Sequence, residues 1–122
     1  GATIPVGIFS KEIGALESLS KYMKENLGMN YKEIAKELKR DERTIWTSYK
    51  KAKEKQEEKI EIKKTDIMIP MSAFENKNLT VLESVVIYLK EKGMKFSEIG
   101  KLLERDQRNV WTVYNRAIKK KR

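Results

Sequence analysis

The sequence predicts an all-α fold made of two similar helical units, and three observations support this prediction. Apolar residues recur at spacings of three, four and seven, as on one face of a helix. Two long stretches of the chain repeat each other at a nearly constant offset. Each unit has about 60 residues, a size that is only marginally stable alone. We therefore expect the two units to pack together through a pseudo-two-fold contact.

The repeat is clearest between residues 29–55 and 94–120. The first segment reads MNYKEIAKELKRDERTIWTSYKKAKEK and the second MKFSEIGKLLERDQRNVWTVYNRAIKK, with 13 of 27 positions identical at an offset of 65. We interpret this similarity as an internal duplication. It divides the chain into a first unit over residues 3–58, a linker over 59–68 and a second unit over 69–122.

Each unit shows three helical patterns in the same order. We expect helices over residues 14–26, 31–38 and 42–55 of the first unit, and over 80–92, 96–103 and 107–120 of the second. Gly28 and Gly93 follow the first helix of each unit as C-terminal stops. Asp41 and Asp106 precede the third helix, where Asp is a favourable N-cap.

Two segments leave alternatives open. Residues 6–13 and 71–77 are candidates for a further short helix, so each unit has three or four helices. Thr3–Val6 and Ile60–Ile69 carry β-branched residues, which suit short extended segments that pair as strands. The alternative is a plain linker whose isoleucines pack on the helices.

A short helix, a tight turn and a longer helix form the layout of a helix-turn-helix motif. The stretch YKEIAKEL at 31–38, followed by Thr44-Ile45 and Ala52, resembles the helix-turn-helix of sigma-factor region four and of LuxR-type regulators. The second unit matches at Phe96, Glu98-Ile99, Leu103, Val110 and Arg116-Ala117. The sequence departs from that pattern at 39–40 and 104–105, where the family usually has Gly in the turn. Two tryptophans, at 46 and 111, also replace a residue that is usually polar.

The third helix of each unit is the candidate recognition helix. Its inner face carries apolar residues, and its opposite face carries arginine, threonine, lysine and asparagine. Arg can bond a guanine edge, Asn an adenine edge, and a Thr methyl can touch thymine. The candidate DNA-binding residues, in the turns, on these faces and in the basic tail, are Arg40, Arg43, Thr44, Trp46, Thr47, Lys50, Lys51, Arg105, Arg108, Asn109, Trp111, Thr112, Asn115, Arg116, Lys119 and Lys120.

Three of these assignments have a plain structural alternative. In that alternative, Arg43 and Arg108 pair with Glu42 or Glu104 on the surface. Arg40 and Arg105 would cover a helix end instead of contacting phosphate. The two tryptophans would pack against the previous helix or the other repeat, which is the commoner fate of Trp.

The positive charge is concentrated on the candidate recognition segments. The formal net charge is +9, of which residues 39–55 contribute +4 and residues 104–122 contribute +5. The remaining residues sum to zero. Basic charge placed in this way is typical of phosphate binding.

Composition excludes many kinds of chemistry. The chain has no Cys and no His, which excludes disulfides, thiolate nucleophiles and Ser–His–Asp triads, and removes the commonest zinc ligands. It has no glycine-rich phosphate loop, and its carboxylates are scattered. We therefore expect no enzyme activity, no cofactor, no metal and no small-molecule ligand.

No apolar run is long enough to span a membrane. With Gly1 and Ala2 set aside as remnants of a tag, no signal peptide is visible, and we expect a cytoplasmic, nucleoid location.

These observations favour a double-stranded DNA-binding protein that places two recognition helices in successive major grooves. It would act as a transcriptional regulator or as a nucleoid protein that organises chromatin. The alternative is a protein-interaction module, which would dock to transcription machinery through the Trp-bearing helix faces. A homodimer is a further possible assembly, and RNA is a third class of partner.

Overall fold

A computed structural model describes residues 2–121 and contains six α-helices with a two-stranded sheet. The elements are β1 (Thr3–Pro5), α1 (Ala15–Glu25), α2 (Tyr31–Leu38), α3 (Glu42–Lys55), β2 (Met68–Pro70), α4 (Val81–Glu91), α5 (Phe96–Leu103) and α6 (Gln107–Lys121). A 3₁₀ turn follows each strand, at Val6–Ile8 and at Met71–Phe74. The mainly helical class is confirmed, and the order of elements is the same in both halves.

The helix ends follow the local sequence. Asn30 caps α2, since its side chain accepts a hydrogen bond from the Glu33 N–H (2.8 Å). Asp41 and Asp106 cap α3 and α6 through the N–H groups of the second residue of each helix (2.8 and 2.7 Å). In the turn between α2 and α3, Lys39 has a left-handed backbone (φ 53°), and its equivalent Glu104 has the same conformation (φ 57°). Glycine adopts this conformation without strain, and these are the positions where the sequence departs from the usual turn glycine.

The two strands pair antiparallel, and the pairing relates equivalent residues of the two repeats. Ile4 lies opposite Ile69, its equivalent at an offset of 65, and both side chains are fully buried. On either side of this pair, the Val6 N–H donates to Ile67 O (3.0 Å) and the Met71 N–H donates to Ala2 O (2.9 Å). These two bonds are also equivalent at that offset. The ladder therefore has a local two-fold relation centred between Ile4 and Ile69.

The two halves share one hydrophobic core. The 3₁₀ turn of the first half contacts α5 of the second half, and the 3₁₀ turn of the second half contacts α2 of the first. Helices α1 and α4 also contact each other. Buried residues from both repeats and Ile60 of the linker belong to a single cluster. Each repeat thus completes the core of the other, as expected for units too small to be stable alone.

The structure decides two points that the sequence left open, the number of helices in each unit and the extent of the strands. The candidate helices at 6–13 and 71–77 are short 3₁₀ turns, Val6–Ile8 and Met71–Phe74, so each unit has three α-helices. The extended pairing is shorter than Thr3–Val6 and Ile60–Ile69 and extends one residue beyond the second segment, since Thr3, Ile4 and Pro5 pair with Pro70, Ile69 and Met68. The fold is therefore not purely α-helical. Within residues 2–121, no helix has the length and apolar character needed to cross a membrane.

Candidate nucleic-acid interface

Helices α3 and α6 are each fixed through one buried face. In α3 the buried positions are Ile45, Ser48 and Ala52, and in α6 they are Val110, Val113 and Ala117. An aromatic pair adds to each contact, Tyr31 with Tyr49 at 5.9 Å and Phe96 with Tyr114 at 5.5 Å between ring centroids. The opposite face of each helix is consequently presented to solvent in a fixed orientation.

Two arginines occupy equivalent exposed positions near the start of these helices. Neither Arg43 nor Arg108 forms an ion pair with a carboxylate of residues 2–121. Glu104, a suggested partner of Arg108, instead accepts from the Lys11 N–H (3.3 Å) and pairs with Lys63 (3.2 Å). These two contacts lower the pKa of Glu104. The structural alternative for the two arginines, pairing with a neighbouring acid, is absent from the described part of the chain.

Both tryptophans are exposed, in contrast to the packing that is usual for Trp. Trp46 is 48% exposed and Trp111 is 54% exposed. The Lys50 ammonium lies 5.5 Å from the centre of the Trp46 ring. Each indole therefore adds an apolar surface to the outer face of its helix, and the Trp46 indole lies beside the positive charge of Lys50.

The smaller polar residues differ between the two faces. Thr44, Lys51, Asn109 and Thr112 are exposed, whereas Thr47 and Asn115 are half-buried. The Thr112 hydroxyl donates to Arg108 O (3.1 Å), and the Asn115 amide donates to Trp111 O (2.8 Å). The Arg105 guanidinium donates weakly to the Asn109 side-chain oxygen (3.4 Å).

Arg40 lies away from these faces and joins the two halves. Its guanidinium donates to Leu38 O (2.7 Å) at the end of α2, and to Leu79 O (2.8 Å) and Phe74 O (3.4 Å) of the other repeat. Burial lowers its pKa. The equivalent Arg105 makes no such bridge within residues 2–121. Of the two turn arginines, Arg105 is the one whose guanidinium is more available to a phosphate.

Arg116 and Lys120 share a buried carboxylate. The Glu83 side chain is 0% exposed and accepts from Arg116 Nε (2.9 Å), Lys120 Nζ (2.9 Å) and the Thr80 N–H (2.8 Å). Burial raises the pKa of Glu83, but these contacts lower it by more, so that it lies below its usual range. The first repeat has the equivalent pair, Lys55 with Glu17 at 2.7 Å. These cations thus hold the third helix of each repeat to the first.

Two tail residues remain to be placed. Lys119 is exposed and is in no ion pair of the described residues. Arg122, at the end of the tail, lies outside the residues that the structure describes. Among the predicted tail residues, Lys119 is therefore the one most available to an external partner.

One polar cluster was not predicted from the sequence. Lys21 is fully buried and pairs with Glu25, which also accepts from the Tyr49 hydroxyl (2.6 Å) and Lys53 (3.3 Å). The Lys21 ammonium also donates to Glu58 O (2.6 Å). Burial and the bond to Glu25 raise the pKa of Tyr49 to about 12. The one indication in the sequence is that Lys21 stands where the second repeat has isoleucine. This difference does not reveal which acidic residue pairs with Lys21.

Among residues 2–121, no group of three or more Asp, Glu, His or Cys side chains is placed to hold a metal ion. Comparison of the chain with models of protein families, with curated proteins and with solved structures gave no match. The function is therefore inferred from the geometry of the two helices.

Proposed function

We propose that this chain binds double-stranded DNA through two helix-turn-helix units, with α3 and α6 as the recognition helices. One observation carries the proposal. The same side chains recur on equivalent helices whose inner faces are buried: an exposed arginine that pairs with no carboxylate of residues 2–121, a threonine, and an exposed tryptophan.

The charge and the local two-fold relation suit a DNA duplex. Phosphates attract the lysines and arginines of both segments, which together account for the formal net charge of +9. A DNA duplex also has two-fold axes that relate its two strands. Two similar recognition helices can therefore each bind one of two related half-sites. We expect these half-sites to be roughly 34–36 Å apart, about one helical turn, or a multiple of that.

The role that follows is a transcriptional regulator or a nucleoid protein that organises chromatin. In either role, binding positions the chain by phosphate contacts, and base contacts from the outer faces add any sequence preference. The arginines Arg43 and Arg108 are the candidate guanine contacts, and Thr47 and Thr112 the candidate thymine contacts.

Fluorescence anisotropy with a random 30-base-pair duplex, titrated across a salt series, tests the proposal. We expect affinity to fall steeply with salt, and the double variant Arg43→Ala/Arg108→Ala to bind at least about tenfold more weakly. The matched control is Lys59→Ala/Lys64→Ala, which removes two exposed positive charges of the linker. The control should bind almost as well as the parent chain.

Two results would refute the proposal. The first is an absence of binding at low salt. The second is an equal weakening in the arginine variant and the linker control, since that would reflect net charge alone. Competition with single-stranded DNA and structured RNA of equal length then identifies the preferred nucleic acid.

The exposure of Trp46 and Trp111 also favours a second candidate, a surface that docks onto a protein of the transcription machinery. The variant Trp46→Ala/Trp111→Ala separates the two. If the faces bind DNA, the variant weakens duplex binding, and duplex quenches the tryptophan emission of the parent chain. If they dock a protein, duplex affinity and emission stay unchanged.

A further inference from the structure

We propose that the two recognition helices share their guanine and thymine contacts but differ beyond them: α6 also recognises adenines through asparagine amides, whereas α3 has lysines that contact phosphates without regard to sequence. This inference rests on the proposed function and concerns how its two faces divide the work. The repeats share arginine, tryptophan and threonine on these faces, so the division must come from the positions at which they differ.

The differences give α6 amides where α3 has a hydroxyl and a cation. At an offset of 65, Thr44 of α3 corresponds to Asn109 of α6, and Lys50 corresponds to Asn115. A lysine ammonium is a point charge that suits any phosphate, whereas an asparagine amide offers a donor and an acceptor side by side. That pair matches the N7 and N6 atoms of adenine in the major groove.

The hydrogen bonds within α6 leave these amides able to read a base. The Asn115 amide nitrogen gives one N–H to Trp111 O (2.8 Å), which fixes the side chain while its second N–H and its oxygen stay available. Asn109 accepts a long bond from Arg105 (3.4 Å), and its amide nitrogen makes no hydrogen bond within the described residues. Held amides discriminate better than mobile ones, because less side-chain freedom is lost on binding.

At two pairs of equivalent positions, 50 with 115 and 51 with 116, the available positive charge lies on α3 and not on α6. Lys51 of α3 is exposed and forms no ion pair with residues 2–121, but its equivalent Arg116 is held by the buried Glu83 at 2.9 Å. Lys50 is likewise unpaired with any carboxylate of the described residues. At these positions α3 therefore carries two lysines that pair with no carboxylate of the described residues. At the equivalent positions α6 carries an asparagine amide and an arginine that is held by Glu83.

Selection of duplexes from a randomised pool, followed by anisotropy on the selected site, tests this division. We expect the half-site bound by α6 to be constrained at more positions than the half-site bound by α3, and the additional constrained positions to be adenines. The variant Asn109→Ala/Asn115→Ala should lower discrimination roughly 5- to 150-fold for each adenine that is no longer recognised. Its affinity for random duplex and its salt slope should stay close to those of the parent chain.

The variant Lys50→Ala/Lys51→Ala should behave in the opposite way. We expect weaker binding to selected and random duplexes alike, with a salt slope reduced by about 0.9 for each phosphate that is no longer neutralised. A transplant completes the test. Thr44→Asn/Lys50→Asn gives α3 the amides of α6, and selection with this variant should return a site equally constrained in both halves.

The outcomes separate this inference from the proposed function. If the parent chain binds no duplex, the proposed function itself is refuted. If it binds duplex but selects equally constrained halves, or no constrained half, the division of tasks is wrong and the DNA-binding proposal stands. A decrease of discrimination in the lysine variant rather than the asparagine variant would also overturn it.

Discussion

Replacing Gly7 by alanine tests whether the linker is held against the first 3₁₀ turn. The linker crosses this turn so closely that a Cβ at Gly7 would lie 2.2 Å from Lys63 O, where ordinary contact begins near 3.4 Å. The Lys63 N–H also donates to Gly7 O (3.1 Å). The new methyl group would have to displace the linker backbone by about 1 Å, because the atoms it meets belong to the backbone and not to a flexible side chain.

The magnitude follows from two effects. Inserting a methyl group into close-packed structure costs about 1–3 kcal/mol, and breaking the hydrogen bond adds about 1 kcal/mol. We therefore expect Gly7→Ala to lower the free energy of unfolding by about 2–4 kcal/mol. For a domain of this size, the Tm falls by roughly 10 °C.

The assay is urea unfolding followed by circular dichroism, together with hydrogen exchange at the Lys63 amide. The second repeat supplies the control, because the residue equivalent to Gly7 is Ser72, which already carries a Cβ and is exposed. Ser72→Ala should change stability by less than about 0.5 kcal/mol. A Gly7→Ala variant as stable as the parent, with the Lys63 amide still protected, would refute the close crossing.

Three further predictions concern the polar contacts. Arg40→Ala should lower the free energy of unfolding by about 2–4 kcal/mol, because it removes the donor from three carbonyls. Arg105→Ala should lower it by less than about 1 kcal/mol and should weaken duplex binding instead. Equal destabilisation of the two variants in urea unfolding would contradict this prediction. The pKa of Glu83 and that of Glu25 are lower in the folded chain than the ordinary value of 4.5, so their stabilisation is present above that pH and is lost as the pH falls through the folded pKa. Acid unfolding of Glu83→Gln should therefore depend less on pH than that of the parent, and an unchanged acid limb would argue against the role of the carboxylate. The pKa of Tyr49 is raised from 10 to about 12, so the stability it contributes is complete below pH 10 and is lost as the pH rises toward 12; Tyr49→Phe should remove this alkaline dependence in a pH series of unfolding curves.

The local structure was largely predictable because its causes are local. The bounds of α2 and α5 agree with the predicted 31–38 and 96–103, since capping residues and turns mark their ends. The duplication also made each assignment twice, so a pattern that is weak in one copy is supported by the other. Asp41 and Asp106 perform the capping role expected of them.

The sequence predicted which residues form the candidate site, but not which of their side chains are held by contacts within the fold. Arg40 and Arg105 are equivalent in sequence, yet only Arg40 reaches carbonyls of the other repeat. Arg116 belongs to the predicted surface but is held by Glu83 of α4, 33 residues away in the chain. Such pairings depend on which helices and turns pack against each other in the fold. A local sequence pattern does not contain that information.

The sequence by itself determined the helices, the duplication and the concentration of positive charge on two segments, because spacing, capping and composition act over a few residues. Only the tertiary structure decided that equivalent strands pair around Ile4 and Ile69, and that each 3₁₀ turn contacts the other repeat. It also decided that both tryptophans remain exposed and that Lys21 is buried beside Glu25. The reason is that burial and ion pairing depend on contacts between residues distant in the chain, and two similar repeats can make different contacts once they share one core.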